Sequence, residues 1–389
     1  MKILMFCDFE LPNQCANSMR VMNFAKLLKD NGHSVSILGV TLRENCSIVG
    51  ESCGISYSML RVKRWTGIKA FKRINQIKKG IVAYLEQHDS FDAIMLSNVY
   101  YDYSKEFLKY AHKVGAKIIV NAVEWYDKSS LTFKGIGGKI KFIKNRIALK
   151  RIFVKMGNIL AISSLLANYY VKKDCVTAVI PTIIDNREYS AVSLGQKEFN
   201  DKINISYAGD PGKKDYVMNA IYALEDLSEQ EVERISLNFY GVSNDKLIKN
   251  GINPAVLEKY KNIVVCHGRI PYELVKERIA SADFTVLLRP NKRYANAGFP
   301  TKVGESMACG TPVIANITSD LAEYVIDGET GLICTDESPK SCAETFRRAL
   351  ALTKEQREKM REKTLYMAKT AFDYSAYKTE VEEFLSKLK

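Results

Sequence analysis

A chain of 389 residues, 47% hydrophobic and 26% charged, has the composition of a soluble globular protein and is too long for one ordinary core, so two domains are expected. No apolar run approaches the ~20 residues that span a bilayer; the nine cysteines lack a CxxC pair, and the four histidines (His33, His88, His112, His267) lack metal-ligand spacing. Disulfide scaffolds and structural metal sites are thereby disfavoured. The net charge of +13 is lopsided: residues 1–195 hold 29 Lys+Arg against 15 Asp+Glu, and the remainder 28 against 29.

The opening segment, MKILMFCDFE, meets Asp8 before a secretion signal's apolar core can form, so it reads as a first strand over 2–7. Further strand-length apolar runs lie at 34–40, 92–96, 117–121, 158–162 and 177–180. Amphipathic helical stretches at 18–31, 69–87, 103–114, 136–155 and 164–172 alternate with them. A second series has strands at 203–208, 235–240, 262–266, 284–288, 312–316 and 331–334. The alternation predicts parallel sheets made of βαβ units. The expected architecture is α/β, with two Rossmann-like, doubly wound domains facing across a cleft. They cover 1–187 and 202–370, joined by a linker over 188–201, and a last helix within 371–389 is expected to pack back on the first domain. Ligands of such sheets bind beyond the carboxyl ends of the strands.

One stretch, NAGFPTKVGESMACGTPVIA (296–315), follows the strand 284–288 and leads into a short helix. The first turn of a helix offers unpaired N–H groups and a partial positive charge, which suit a phosphate. Gly298 lets the backbone come close, and Thr301 and Lys302 add a hydroxyl and a cation. Glu305, one turn further, is placed to accept hydrogen bonds from a diol such as ribose. The plainer alternative is a strand–turn–helix joint in which Glu305 is a solvated charge beside Lys302.

Residues 298–312, GFPTKVGESMACGTP, resemble the donor-binding segment of GT-B glycosyltransferases of family 4, retaining enzymes that use nucleotide sugars. The similarity continues in order through DFELPNQCANSMRVMNFAKLLKDNGHSVSIL, AISSLLANYY, VIPTIID, ISYAGDPGKKD, HGRIPYELVKERIASADFTVLLRP and LAEYVIDGETGLI. The resemblance implies that Glu305 holds the donor ribose and that Lys214 contacts the diphosphate beside Gly209. It implies that the backbone at Gly268, Arg269 and Ile270 edges the base, and that Gly298, Phe299, Thr301 and Lys302 lie along the phosphates and sugar. On the first helix, Arg20 is expected to touch acceptor or donor, the alternative being a surface charge, and Ser18 and Arg20 are taken as the acceptor-side residues. No metal and no cofactor beyond the donor are implied; UDP is favoured on family frequency, with GDP the other option.

The departures from that pattern matter as much. Ala297 replaces the first glutamate of the family's pair, and neighbouring Asn296 can substitute only by hydrogen bonding. Asp210 stands where the family has an arginine, so Arg289 or Arg293 is expected to restore the cation. The family's first-domain histidine has no match; Glu124, in NAVEWYD, is the polar residue at that strand end and joins Lys214 as a catalytic candidate. The function implied is transfer of a hexose-type sugar to a glycan or lipid-linked glycan during surface polysaccharide or glycoconjugate assembly. Ala297 keeps open a non-catalytic sugar-nucleotide-binding partner of a transferase, and the fold also serves sugar-nucleotide epimerases. The basic stretches 61–80 and 134–155 alternate Lys/Arg with Ile, Phe and Trp. In the second, Ile136, Ile140, Ile143 and Ile147 form an apolar face that suits either ordinary packing or an anionic lipid surface. A cytoplasmic protein visiting the inner face of the membrane is therefore expected, and nucleic acid is not, because no binding module accompanies the charge.

Overall fold

The computed structural model describes residues 1–12, 15–65, 70–97, 101–126, 135–193, 197, 199–212 and 214–389. Two compact units emerge, one of residues 1–184 with 374–389, the other of residues 185–373.

The first unit is built on β1 (Lys2–Cys7), α1 (Ala16–Asp30), β2 (Ser34–Thr41), β3 (Val49–Ser52), β4 (Ile55–Arg61), α2 (Ala70–Gln87), β5 (Ala93–Ser97) and α3 (Tyr101–Val114). It continues with β6 (Lys117–Ala122), α4 (Gly135–Ile147), α5 (Phe153–Met156), β7 (Asn158–Ala161), α6 (Ser164–Val171) and β8 (Val176–Val179). The strands order as β3-β4-β2-β1-β5-β6-β7-β8 and pair in parallel, except that β3 runs antiparallel to β4. The hairpin β3–β4 was not expected; it turns through Cys53 and Gly54, both at positive φ. The helix expected over 136–155 is interrupted by a π-helical turn, Ala148–Ile152. β1 is buried almost throughout, as strands covered on both faces are.

The second unit contains α7 (Ser190–Ser193), β9 (Ile203–Ala208), α8 (Val217–Tyr222), α9 (Glu229–Glu233), β10 (Ile235–Tyr240), α10 (Asn244–Lys249), α11 (Pro254–Lys259) and β11 (Val264–Gly268). Then come α12 (Tyr272–Ala280), β12 (Phe284–Leu287), α13 (Arg293–Ala297), α14 (Thr301–Ala308), β13 (Val313–Asn316), β14 (Gly331–Cys334), α15 (Pro339–Ala351) and α16 (Lys354–Met367). Its six parallel strands order as β11-β10-β9-β12-β13-β14. That is the doubly wound order, with its reversal between β9 and β12. Tyr189, within the stretch expected to be linker, is buried in this unit.

The last helix, α17 (Lys378–Ser386), belongs to the first unit. Its Val381, Phe384 and Leu385 join the core that holds Ile3, Val21 and Leu28. Asn31, at the end of α1, donates to the carbonyl of Lys378 at 2.9 Å. No helix among the described residues is long and apolar enough to cross a membrane.

Candidate functional site

The reversal between β9 and β12 opens a crevice beyond their carboxyl ends, and the loops after these strands carry the polar residues of the second unit. The loop after β9 starts at Gly209, whose φ of +123° favours glycine. A Cβ there would stand 2.7 Å from Cε of Lys302, so glycine lets that side chain lie against the loop. The Gly209 N–H donates to the Tyr240 carbonyl at 2.8 Å, and the Gly241 N–H to the Gly268 carbonyl at 2.6 Å. The ends of β9, β10 and β11 are thus tied side by side, with the β10 end between the other two.

Asp215 closes the first of these loops and is the hub of the site. Its Oδ1 accepts from Nε of Arg289 at 2.7 Å, and its Oδ2 from the Tyr207 hydroxyl at 2.8 Å. The same Oδ2 lies 3.0 Å from Nζ of Lys302. The carboxylate is buried; burial alone would favour its neutral form, but Arg289 and Lys302 outweigh that and hold it below the usual range. Arg289 is fixed in turn by Asn316, whose Oδ1 accepts the Arg289 N–H at 2.8 Å and whose Nδ2 donates to the Arg289 carbonyl at 2.7 Å. Two cations share one carboxylate, so Arg289 and Lys302 are held in place with only part of their charge neutralised by Asp215, an arrangement suited to meeting a multiply charged anion.

Glu305 is half-buried one turn into α14. Burial pushes its carboxyl above the usual range, and Lys302 and Lys276 only partly counter this. Its charge acts on Tyr189 and Tyr272, whose hydroxyls are 3.3 Å apart. Nζ of Lys276 lies 4.4 Å from the centre of the Tyr189 ring. A cavity of about 20 Å³, enough for one water-sized group, is lined by Tyr207, Thr285, Lys302 and Glu305 among others. In the loop after β11, Gly268 is half-buried, Arg269 exposed and Ile270 half-buried. His267, just before it, stacks on Tyr240 with ring centres 4.4 Å apart.

Of the residues expected at the donor site, Gly209, Arg289, Lys302 and Glu305 come together here, with Gly298 and Thr301 at the start of α14. Lys214 is half-buried directly before Asp215, and its N–H donates to the Pro211 carbonyl at 3.2 Å. Arg293 is exposed at the start of α13, outside the Asp215 network.

Other expectations need correction. The Phe299 side chain does not line the site: its ring is buried against Tyr324 and Phe372, with centroids 5.4 and 5.8 Å away. Ala297 is fully buried, so a larger side chain would have to displace its neighbours. The Asn296 amide is engaged at both ends, donating to Asn291 Oδ1 at 2.7 Å and accepting the Ser319 N–H at 2.8 Å.

In the first unit, Arg20 is buried, donating from Nε to Asn121 Oδ1 at 3.2 Å and from its other nitrogens to the carbonyls of Ile180 and Pro181. Burial lowers its pKa to about 9. It fastens α1 to the segment after β8 and does not present a guanidinium to an acceptor. Ser18 is fully buried as well. Glu124 is half-buried just past β6, beside Trp125, which packs edge-on to Tyr169 at 4.6 Å. Asp127, Lys134, Lys213 and the Ile136 side chain lie outside the described residues. Among the described residues no group of three His, Cys, Asp or Glu could hold a metal ion.

Residues 195–365 match the family model of glycosyl transferases group 1. A glycosyltransferase of Methanocaldococcus jannaschii, itself uncharacterized, is 25% identical over 213 residues, which are 52% of this chain. Those residues are 51% of the relative, so the chain spans about half the length of the curated relative it matches. Sucrose-phosphate synthase from Thermosynechococcus elongatus superposes with a TM-score of 0.73 at 16% identity, over 100% of this chain and 99% of its own. Anabaena HepE, solved in complex with UDP and glucose, superposes with a TM-score of 0.68 at 14% identity, over the whole of both chains. These likenesses define the class by fold alone: a protein of GT-B architecture. The stretch similar to glycosyl transferases group 1 lies wholly within the second unit.

Proposed function

We propose that this protein transfers a hexose-type sugar from a nucleoside diphosphate donor to a glycan or lipid-linked glycan, with retention of configuration. One observation carries the reading: Asp215 holds Arg289 and Lys302 at the strand-order reversal of the second unit, with Glu305 one turn beyond Lys302. The cations neutralise the diphosphate as its charge grows on leaving, and Glu305 accepts from the ribose hydroxyls. Gly298 and Thr301 bring the start of α14 to the phosphates, and Gly268, Arg269 and Ile270 edge the base through their backbone. Lys214 is assigned to the leaving diphosphate and Glu124 to the acceptor side. UDP is favoured over GDP; the complexes of HepE with UDP support that choice for a protein of like fold.

The test is incubation with UDP-glucose, UDP-galactose, UDP-N-acetylglucosamine and GDP-mannose while the released nucleoside diphosphate is followed. Release from one donor, lost in Glu305→Ala, supports the reading; tight binding with no release from any donor supports inert sugar-nucleotide binding. Ala297, standing where the family has its first glutamate, favours that second reading, because α13 (RYANA) carries no carboxylate.

We assign the acceptor to an anionic membrane surface reached through α4. Ile140 and Ile143 are 49% and 55% exposed there, between basic residues. Liposome flotation with and without anionic lipid tests this. Joint loss of Lys139, Lys141 and Lys144 should reduce flotation and leave nucleotide binding intact; partitioning that ignores lipid charge argues for a soluble acceptor.

A further inference from the structure

Arg289 and Lys302 are held by a carboxylate of the loop after β9, and that loop supplies a second carboxylate of the same kind. Asp215 serves Arg289 and Lys302. Asp210, at the other end of the loop and next to Gly209, serves a cation from a different element: its Oδ1 lies 2.6 Å from Nζ of Lys246 on α10. Lys302, whose side chain lies against neighbouring Gly209, adds its charge at the same carboxylate. A hydrogen bond from the Gly212 N–H to Asp210 Oδ1, 2.9 Å, fixes the carboxylate in the turn. Lys246 is itself set by the start of α10, where the Ser243 hydroxyl accepts its N–H at 3.3 Å.

We propose that Lys246 is a further phosphate-binding cation of the donor site, oriented by Asp210 and handed to the nucleoside diphosphate when it binds. This rests on the nucleotide-sugar reading above. Asp210 is two-thirds exposed and Lys246 about one-third, so their pair is largely solvated and worth little by itself. Exchanging the carboxylate for a phosphate oxygen therefore costs little, whereas Arg289, locked on buried Asp215, stays where it is. The arrangement accounts for an aspartate beside Gly209: it positions a lysine from the next βα loop, and the positive charge at this loop comes from α10.

The test is calorimetric titration of the full chain with UDP and with GDP, with uridine and guanosine measured by displacement. Lys246→Ala should weaken the bound diphosphate by about 10- to 100-fold and leave the nucleoside unchanged, as loss of one charged hydrogen bond to phosphate does. Lys246→Arg should keep most of the affinity. Asp210→Asn should weaken it less than Lys246→Ala and add nothing in the double variant, because the two act through one group. A thermal melt on each variant establishes that the unit is folded. Diphosphate affinity unchanged in Lys246→Ala, or an equal loss for the nucleoside, overturns the proposal. A wild-type chain that binds neither UDP nor GDP overturns the nucleotide-sugar reading itself, and this inference with it.

Discussion

Replacing Asp215 by asparagine keeps the shape of the hub and removes its charge. Arg289 and Lys302, with side chains 11% and 25% exposed, then lose their counter-ion while their own charge stays partly buried. Breaking a buried pair from one side costs about 3–5 kcal/mol, chiefly from the charge left uncompensated. For a unit of this size each kcal/mol moves the melting temperature by roughly 2–4 °C, so Asp215→Asn should lower it by roughly 6–20 °C. The assay is differential scanning calorimetry of the full chain, in which the transition of the second unit moves and that of the first does not. A companion variant isolates the cause. Adding Arg289→Met to Asp215→Asn should recover part of the loss, because removing both partners costs less than stranding one. A shift below about 2 °C, or no recovery in the double variant, would refute the electrostatic account of the site.

Glu305→Gln should weaken nucleoside diphosphate binding by about 10- to 100-fold, the loss of a charge-assisted hydrogen bond, measured by calorimetry. Lys214→Ala should lower kcat more than it raises KM, because charge on the diphosphate develops in the transition state; steady-state kinetics on the active donor separates the two. Asp215 has its pKa depressed in the folded chain, so its contribution to stability is full above the unfolded value of about 4 and is lost as pH falls through the depressed folded value. Melting temperature against pH should therefore drop less steeply on the acid side in Asp215→Asn than in the wild type. Glu305 is raised instead, and its ionised form is the one that accepts from ribose; diphosphate affinity should fall on mild acidification, and Glu305→Gln should flatten that dependence.

The sheet was legible in the sequence because buried strands are written as short apolar or alternating runs: the nearly continuous KILMFC became β1 and the alternating INISYA became β9. The hairpin β3–β4 was not, because Val49–Ser52 is a short edge strand, antiparallel and with a solvent-facing pattern. Nor was the π turn at Ala148–Ile152, where neither glycine nor proline punctuates the helix. At the site, glycine and the residues of one continuous stretch could be read locally, so Gly209, Lys302 and Glu305 were named. Asp215, the last residue of GKKD, carries no local signal, since its partner Arg289 is 74 residues away. Arg20 was misread for the same reason: its helix face is visible in sequence, but the Ile180 carbonyl that takes its hydrogen bond is 160 residues distant. Phe299 sits in the stretch expected to lie along the donor, yet its ring is claimed by Tyr324 and by Phe372 far down the chain.

The central claim is that the cations gathered on Asp215 receive a nucleoside diphosphate, and a crystal structure grown with UDP or GDP tests it most directly. The account predicts phosphate oxygens within hydrogen-bonding reach of Nζ of Lys302 and of the Arg289 guanidinium, with the ribose hydroxyls on Glu305. A nucleotide bound elsewhere, or with its phosphates turned away from Lys302 and Arg289, would contradict it.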